Sequence, residues 1–163
     1  MGYVPKDAKW YIAEIVEEIT VVADPRNVVH INFILIRADS PDEAYSKALE
    51  LGQKGETEYD NPDGKRVRIR FSGLRDLNVI HDELEHGTEL MFEQRISVSR
   101  SELEKLIKTK EDLEIFRPWQ LPDTSKLPDY SPKDVMDQLE AQTGFKCPGE
   151  TRSKEESDGS DNS

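Results

Sequence analysis

The chain has 163 residues and a formal net charge of −12, with 22 Lys and Arg against 34 Asp and Glu. That balance argues against general nucleic-acid binding, which needs cationic surface to replace phosphate counterions. A single cysteine, Cys147, excludes an intrachain disulfide framework and a multi-cysteine zinc site. No stretch reaches the roughly 18 apolar residues of a membrane span, and Met1 to Trp10 lacks the long apolar core of a signal peptide, so a cytoplasmic protein is expected.

Residues 10–22 carry Ile12, Ile15, Val16 and Ile19 at helical spacing, but their density of β-branched residues favours a strand. Ala23-Asp24-Pro25-Arg26-Asn27 reads as a turn, and Val28 to Arg37 as a second strand that pairs antiparallel with the first. Ser40-Pro41-Asp42-Glu43 starts a helix: Ser40 caps it, Pro41 suits its first position and Glu43 completes a capping box. Ala44, Ala48 and Leu51 form its buried stripe, and Gly52 and Gly55 are the candidate stops.

Asn61-Pro62-Asp63-Gly64 has the composition of a hairpin turn. The strand after it, Lys65 to Phe71, alternates two chemistries. Val67, Ile69 and Phe71 face one way, and Arg66, Arg68 and Arg70 the other. Gly73 is expected at a bulge or bend, followed by a short strand from Leu74 to Ile80. After a polar loop, Glu89 to Val98 is expected to be another strand, with Leu90, Phe92, Gln94, Ile96 and Val98 on one face. Ser101 with Glu104 marks a second capping box, ahead of a helix carrying Leu103, Leu106 and Ile107.

Pro118, Pro122, Pro128 and Pro132 then punctuate an extended strap. Ser131-Pro132 opens a short helix with Val135, Met136 and Leu139, which Gly144 stops, and Phe145 is a candidate cap contact. From Cys147 the chain has no apolar residue and is expected to be disordered. The fold so predicted is α+β: an antiparallel sheet of about five strands in the order β-β-α-β-β-β, one helix packed on a face, and C-terminal helices with a Pro-rich strap covering an edge or the back. Residues 1–116 make the domain, 117–146 the strap and short helix, and 147–163 the acidic tail.

The order of elements resembles the bacterial domain-of-unknown-function family numbered 4288. The matching residues are Trp10-Tyr11 with Ala13, Glu43-Ala44, Lys47-Ala48, Tyr59 before Gly64, Phe71-Ser72-Gly73 with Leu77, and Gly87-Thr88-Glu89-Leu90. The resemblance implies a small bacterial α+β domain and carries no catalytic residue.

Several groups are candidates for function. Arg66, Arg68 and Arg70 can hold anionic groups of a partner; the plainer reading is a solvated face paired with Glu58, Glu89 or Glu93. His81 and His86 flank three carboxylates, yet stand five apart rather than at the four-residue spacing of a helical zinc peptidase, and read first as a polar loop. Trp10, Tyr11 and Tyr59 fit core or edge positions better than a recognition surface. Trp119 sits in the strap, where an aromatic anchors the segment or meets a partner. Cys147, next to Pro148, reads as an incidental thiol. No phosphate loop, nucleophile elbow or Cys-x-x-Cys pair occurs.

The function expected is a non-enzymatic protein-binding or accessory module needing no cofactor. Its surface would comprise Arg66, Arg68, Arg70, Glu93, Arg95 and Trp119. Its acidity suits a partner with a basic surface, as in toxin neutralisation or defence. The alternatives are a ligand binder or enzyme built on the His81–His86 loop, and an oligomer formed through exposed edge strands.

Overall fold

A computed structural model describes residues 3–144 except 119 and 121. The expectations for Trp119, for Phe145, for Cys147 and for the tail therefore lie outside the described residues. Four strands, β1 (Trp10–Val21), β2 (Asn27–Arg37), β3 (Thr57–Asp60) and β4 (Arg66–Val79), form one antiparallel sheet in the order β2-β1-β4-β3. Helix α1 (Pro41–Lys54) follows β2, and α2 (Arg100–Leu106) and α3 (Lys133–Thr143) come late in the chain.

Residues 10–21 are a strand, as their β-branched content requires. The unbroken pairing from Trp10↔Arg37 to Thr20↔Asn27 makes β1 and β2 a regular hairpin. Odd-numbered residues of β1 and even-numbered residues of β2 share one face. Tyr11, Ala13, Ile15 and Ile36 are buried there against Ala44 and Ala48 of α1. Ser40 accepts a bond from the Glu43 N–H (3.1 Å), but Glu43 reaches past the cap to the Asp39 N–H (2.8 Å), so the expected box is displaced by one residue. Gly55 ends the helix, whereas Gly52 lies inside it and buried. A β-carbon on Gly52 would overlap the Phe71 ring, so here glycine serves close helix–sheet approach rather than termination.

The predicted strands at 65–71 and 74–80 are one strand. Two register shifts in the β1–β4 ladder leave Ser72 and Arg75 as extra residues, and Gly73, at φ 140°, sits between them as expected of a bulge. The bulges absorb the extra residues, so β4 keeps pairing with β1 along its whole length. Residues 89–98 form no strand. Their alternation sets two faces, but a strand also needs a ladder partner, and they pair with none of the described strands. The described sheet thus has four strands where about five were expected.

The second helix also differs. Its capping box is Ser99 with Glu102, not Ser101 with Glu104, and no residue of α2 is buried. It covers neither an edge nor a face. Two 3-10 turns, Lys110–Asp112 and Glu114–Phe116, lead from it towards the strap.

The strap docks on its own domain. Pro128 is fully buried, Met136 of α3 is buried, and Tyr130 packs on a second core cluster of Ile19, Val21 and Val67. These strand residues lie on the same face as Tyr11 and Ala13, farther along β1. One sheet face is therefore closed in two halves, by α1 and by the strap. Gly144, at φ 70°, stops α3 as its sequence predicts. Gly52→Ala is expected to lower stability by about 1–2 kcal/mol despite alanine's higher helix propensity, and Gly52→Ala with Phe71→Leu to recover most of that loss, as read by chemical denaturation.

Candidate functional site

With the helix and strap on the inner face, the outer face carries the even-numbered residues of β1 and the odd-numbered residues of β2. Burial along β2 alternates accordingly. Val29, Phe33 and Leu35 expose 53%, 55% and 46% of their surface, with Ile31 half-buried between them. They form an apolar row along the edge strand.

The opposite half of the same face is charged. Arg66, Arg68 and Arg70 do share it, as their alternation predicts, and each meets a carboxylate of β3. Arg66 pairs with Asp60 (3.2 Å), Arg68 with Glu58 (3.3 Å), and Arg70 also with Glu58. Glu89 and Glu93 are not their partners. Cross-strand pairs of this exposed kind contribute about 0.2–1 kcal/mol each, and they leave the arginine row largely neutralised.

Glu93 and Arg95 do not extend this row as strand residues. They pair with each other at 2.7 Å, and the Arg95 guanidinium, helped by the charge of Arg75, holds the Glu93 carboxyl below its ordinary range.

Between the two halves stands a group that sequence reading missed. Glu14, 3% exposed, takes a hydrogen bond from Arg75 Nε, and the Arg75 guanidinium lies 5.7 Å from the Phe33 ring centroid. The bulge that makes Arg75 an extra residue carries it across β1 towards β2. The available signal was Glu14 itself, an acidic residue among Ile and Ala in a strand flanked on both sides. At the end of β2, Arg37 lies 6.0 Å from the Trp10 ring.

His81 stacks on Tyr3, with ring centroids 6.4 Å apart. It lines two clefts. One, of about 400 Å³, is bounded by Lys9, Trp10, Ile80 and Asp82; the other, of about 600 Å³, lies between Asp76–Val79 and Glu89–Phe92. His81 and not His86 lines them, so the two histidines are not brought together there. Among the described residues no group of three or more His, Cys, Asp or Glu is placed to hold a metal ion.

Tyr11 is core, as expected. Tyr59 ties the strap to the sheet, its hydroxyl donating to the Tyr130 carbonyl at 2.5 Å. Burial, with Tyr130 and Asp129 nearby, pushes that hydroxyl above the ordinary value of 10.0. Asn61, 1% exposed, accepts from the Lys65 N–H across the hairpin turn (2.9 Å) and donates to the Asp129 carbonyl (2.8 Å). Arg26 donates to the Ser125 carbonyl at 3.1 Å while bonding Asp24, whose carboxyl that guanidinium holds down to about 2.

The family model described as "Domain of unknown function (DUF4288)" matches residues 10–92, just over half of the chain. The match takes in the whole sheet and α1, together with the loop that carries His81 and His86. No curated protein and no solved structure matches the chain. No helix among the described residues is long and apolar enough to cross a membrane.

Arg75→Met is expected to lower stability by about 2 kcal/mol, because it leaves the buried Glu14 carboxylate without its counter-ion. Glu14→Gln with Arg75→Met should cost less than the two single changes summed, as a double-mutant cycle by denaturation would read. Asp24 has its folded pKa depressed from an ordinary 3.8 to about 2. Its contribution to stability is therefore present above pH 3.8 and lost as pH falls through about 2. Carbon-detected NMR titration should place the Asp24 midpoint near 2, and Arg26→Ala should return it towards the ordinary value.

Proposed function

The chain belongs to this family of domains of unknown function, and we propose that it is a non-enzymatic protein-binding module of bacterial origin whose working surface is the outer sheet face. The observation that supports this reading is the row of exposed Val29, Phe33 and Leu35 with half-buried Ile31, one strand away from the ion-paired row of Arg66, Arg68 and Arg70. A contiguous apolar patch edged by polar groups is a common mark of an interaction site. The chain's own strap covers the inner face, which leaves the outer one for a partner.

The rim decides orientation more than strength. Paired arginines exchange one carboxylate for another at modest cost, so Arg66, Arg68 and Arg70 can turn from Asp60 and Glu58 towards acidic groups of a partner. The carboxylates released then meet basic ones. The net charge of −12 favours a partner whose surface around the contact is basic and speeds its approach at low salt. Masking a basic toxin surface, in a cytoplasmic defence role, is the specific form of this function that the charge supports.

The test is purification of the untagged full chain from its native host beside a Phe33→Asp variant of equal thermal stability. The reading expects one stoichiometric partner with the natural chain, weakened at moderate salt and absent from the variant. Recovery of the same partner with both chains, or of a lone protein with both, would overturn it.

A further inference from the structure

Strand β2 is an edge strand of eleven residues, Asn27–Arg37, paired in the described sheet only with β1. Natural edges are usually blunted by charge, proline, a bulge or a cover, because their free N–H and C=O groups recruit other strands. Among the described residues the stretch from Val28 to Ile36 carries no charge, proline or bulge; Tyr130 of the strap meets its His30 ring (centroids 5.6 Å) and Lys47 of α1 holds only its last carbonyl, that of Arg37. Its pairing with β1 is free of bulges, and between Asn27 and Ile36 it contains no Pro, Lys, Arg, Asp or Glu. In a chain of net charge −12 this stretch brings no carboxylate of its own to the contact, and the Glu17 and Glu18 carboxylates of β1 that lie nearest are held by the Asn32 and Asn27 amides at 2.7 and 2.6 Å.

We infer that β2 pairs antiparallel with β2 of a second copy about a two-fold axis through Asn32, joining two sheets into one of eight strands. This pairing goes beyond the proposed function: it uses the edge of β2 and leaves the outer face open.

The backbone fixes which residues can pair. The Ala38 N–H donates to the Lys9 carbonyl at 3.0 Å, and Lys9 is opposite Ala38 by continuation of the register. Even-numbered residues of β2 therefore exchange bonds with β1, and the odd-numbered ones point their N–H and C=O outward. A two-fold through Asn32 sets Ile31 opposite Phe33 and Val29 opposite Leu35, odd against odd, as a ladder requires. At one end of the ladder the Arg37 carbonyl is already held by Lys47 Nζ at 2.8 Å, so the new bonds run from Val29 to Leu35.

The side chains select this register among those the backbone allows. It sets Arg37 of each copy opposite Asn27 of the other. The Asn27 amide already bonds the Glu18 carboxylate at 2.6 Å. Each Arg37 is thereby brought to the Glu18 of the other copy, giving two symmetric ion pairs, as an isologous interface requires. The two apolar rows also become one continuous outer surface.

The test is sedimentation equilibrium of the full chain over a wide concentration range, with circular dichroism and thermal melting of each variant. The natural chain should move from 18.7 kDa towards twice that mass. Arg37→Glu should weaken the dimer about tenfold, and Arg37→Glu with Glu18→Arg should restore it. Ile31→Pro removes an outward N–H that the monomer does not use, so it should give a monomer with an unchanged spectrum. A natural chain that stays at 18.7 kDa throughout, or a dimer indifferent to both Ile31→Pro and Arg37→Glu, would overturn the inference. A strict monomer whose partner is still lost with Phe33→Asp would remove the dimer alone and leave the proposed binding face standing.

Discussion

Strand β1 carries more of the buried core than any other described element, and the other elements are arranged around it. It pairs with β2 on one side and β4 on the other, and its Tyr11, Ala13, Ile15, Ile19 and Val21 lie along the inner core, with Glu17, bonded to Asn32, between the two clusters. That length exceeds what one helix covers. Helix α1 closes the part over Tyr11, Ala13 and Ile15, and its close approach depends on Ala44, Ala48 and Gly52. The remainder, around Ile19, Val21 and Val67, needs a second cover. The strap supplies it through Pro128 and Tyr130, held by Tyr59 and Asn61.

The outer face follows from this division of labour. Because helix and strap share one side, the other keeps an apolar row on β2 and a charged row on β3 and β4. Glu14 and Arg75 stand between them. Glu14 is a charge buried on the central strand, and its cost is offset by the guanidinium that the β4 bulge delivers. The same guanidinium lies near Phe33, so the pair also helps to fix the one aromatic of the apolar row.

Much of the sheet could be read from the chain. The alternation from Lys65 to Phe71 assigned the arginines and the apolar residues to their faces, and Ser40-Pro41 placed the helix start. The failures share a physical cause, which is that pattern does not specify a partner. Residues 89–98 alternate as a strand does but join no ladder. Leu103, Leu106 and Ile107 have helical spacing, yet no described surface receives them. Conversely, Asn61 reads in sequence only as a turn residue, and its hold on Asp129, 68 positions away, has no local signature. The Arg75–Glu14 pair was hidden for the same reason, because a bulge's effect on side-chain direction depends on where the neighbouring strand shifts register.

The strap seals one face of the sheet and leaves the other open, and hydroxyl-radical footprinting of the full chain reads this side chain by side chain. Phe33 and Leu35 should oxidise rapidly, while Tyr59, Tyr130 and Met136 are protected relative to the same residues in denaturant. Rapid modification of Tyr130 and Met136 together with protection of Phe33 and Leu35 would contradict this arrangement.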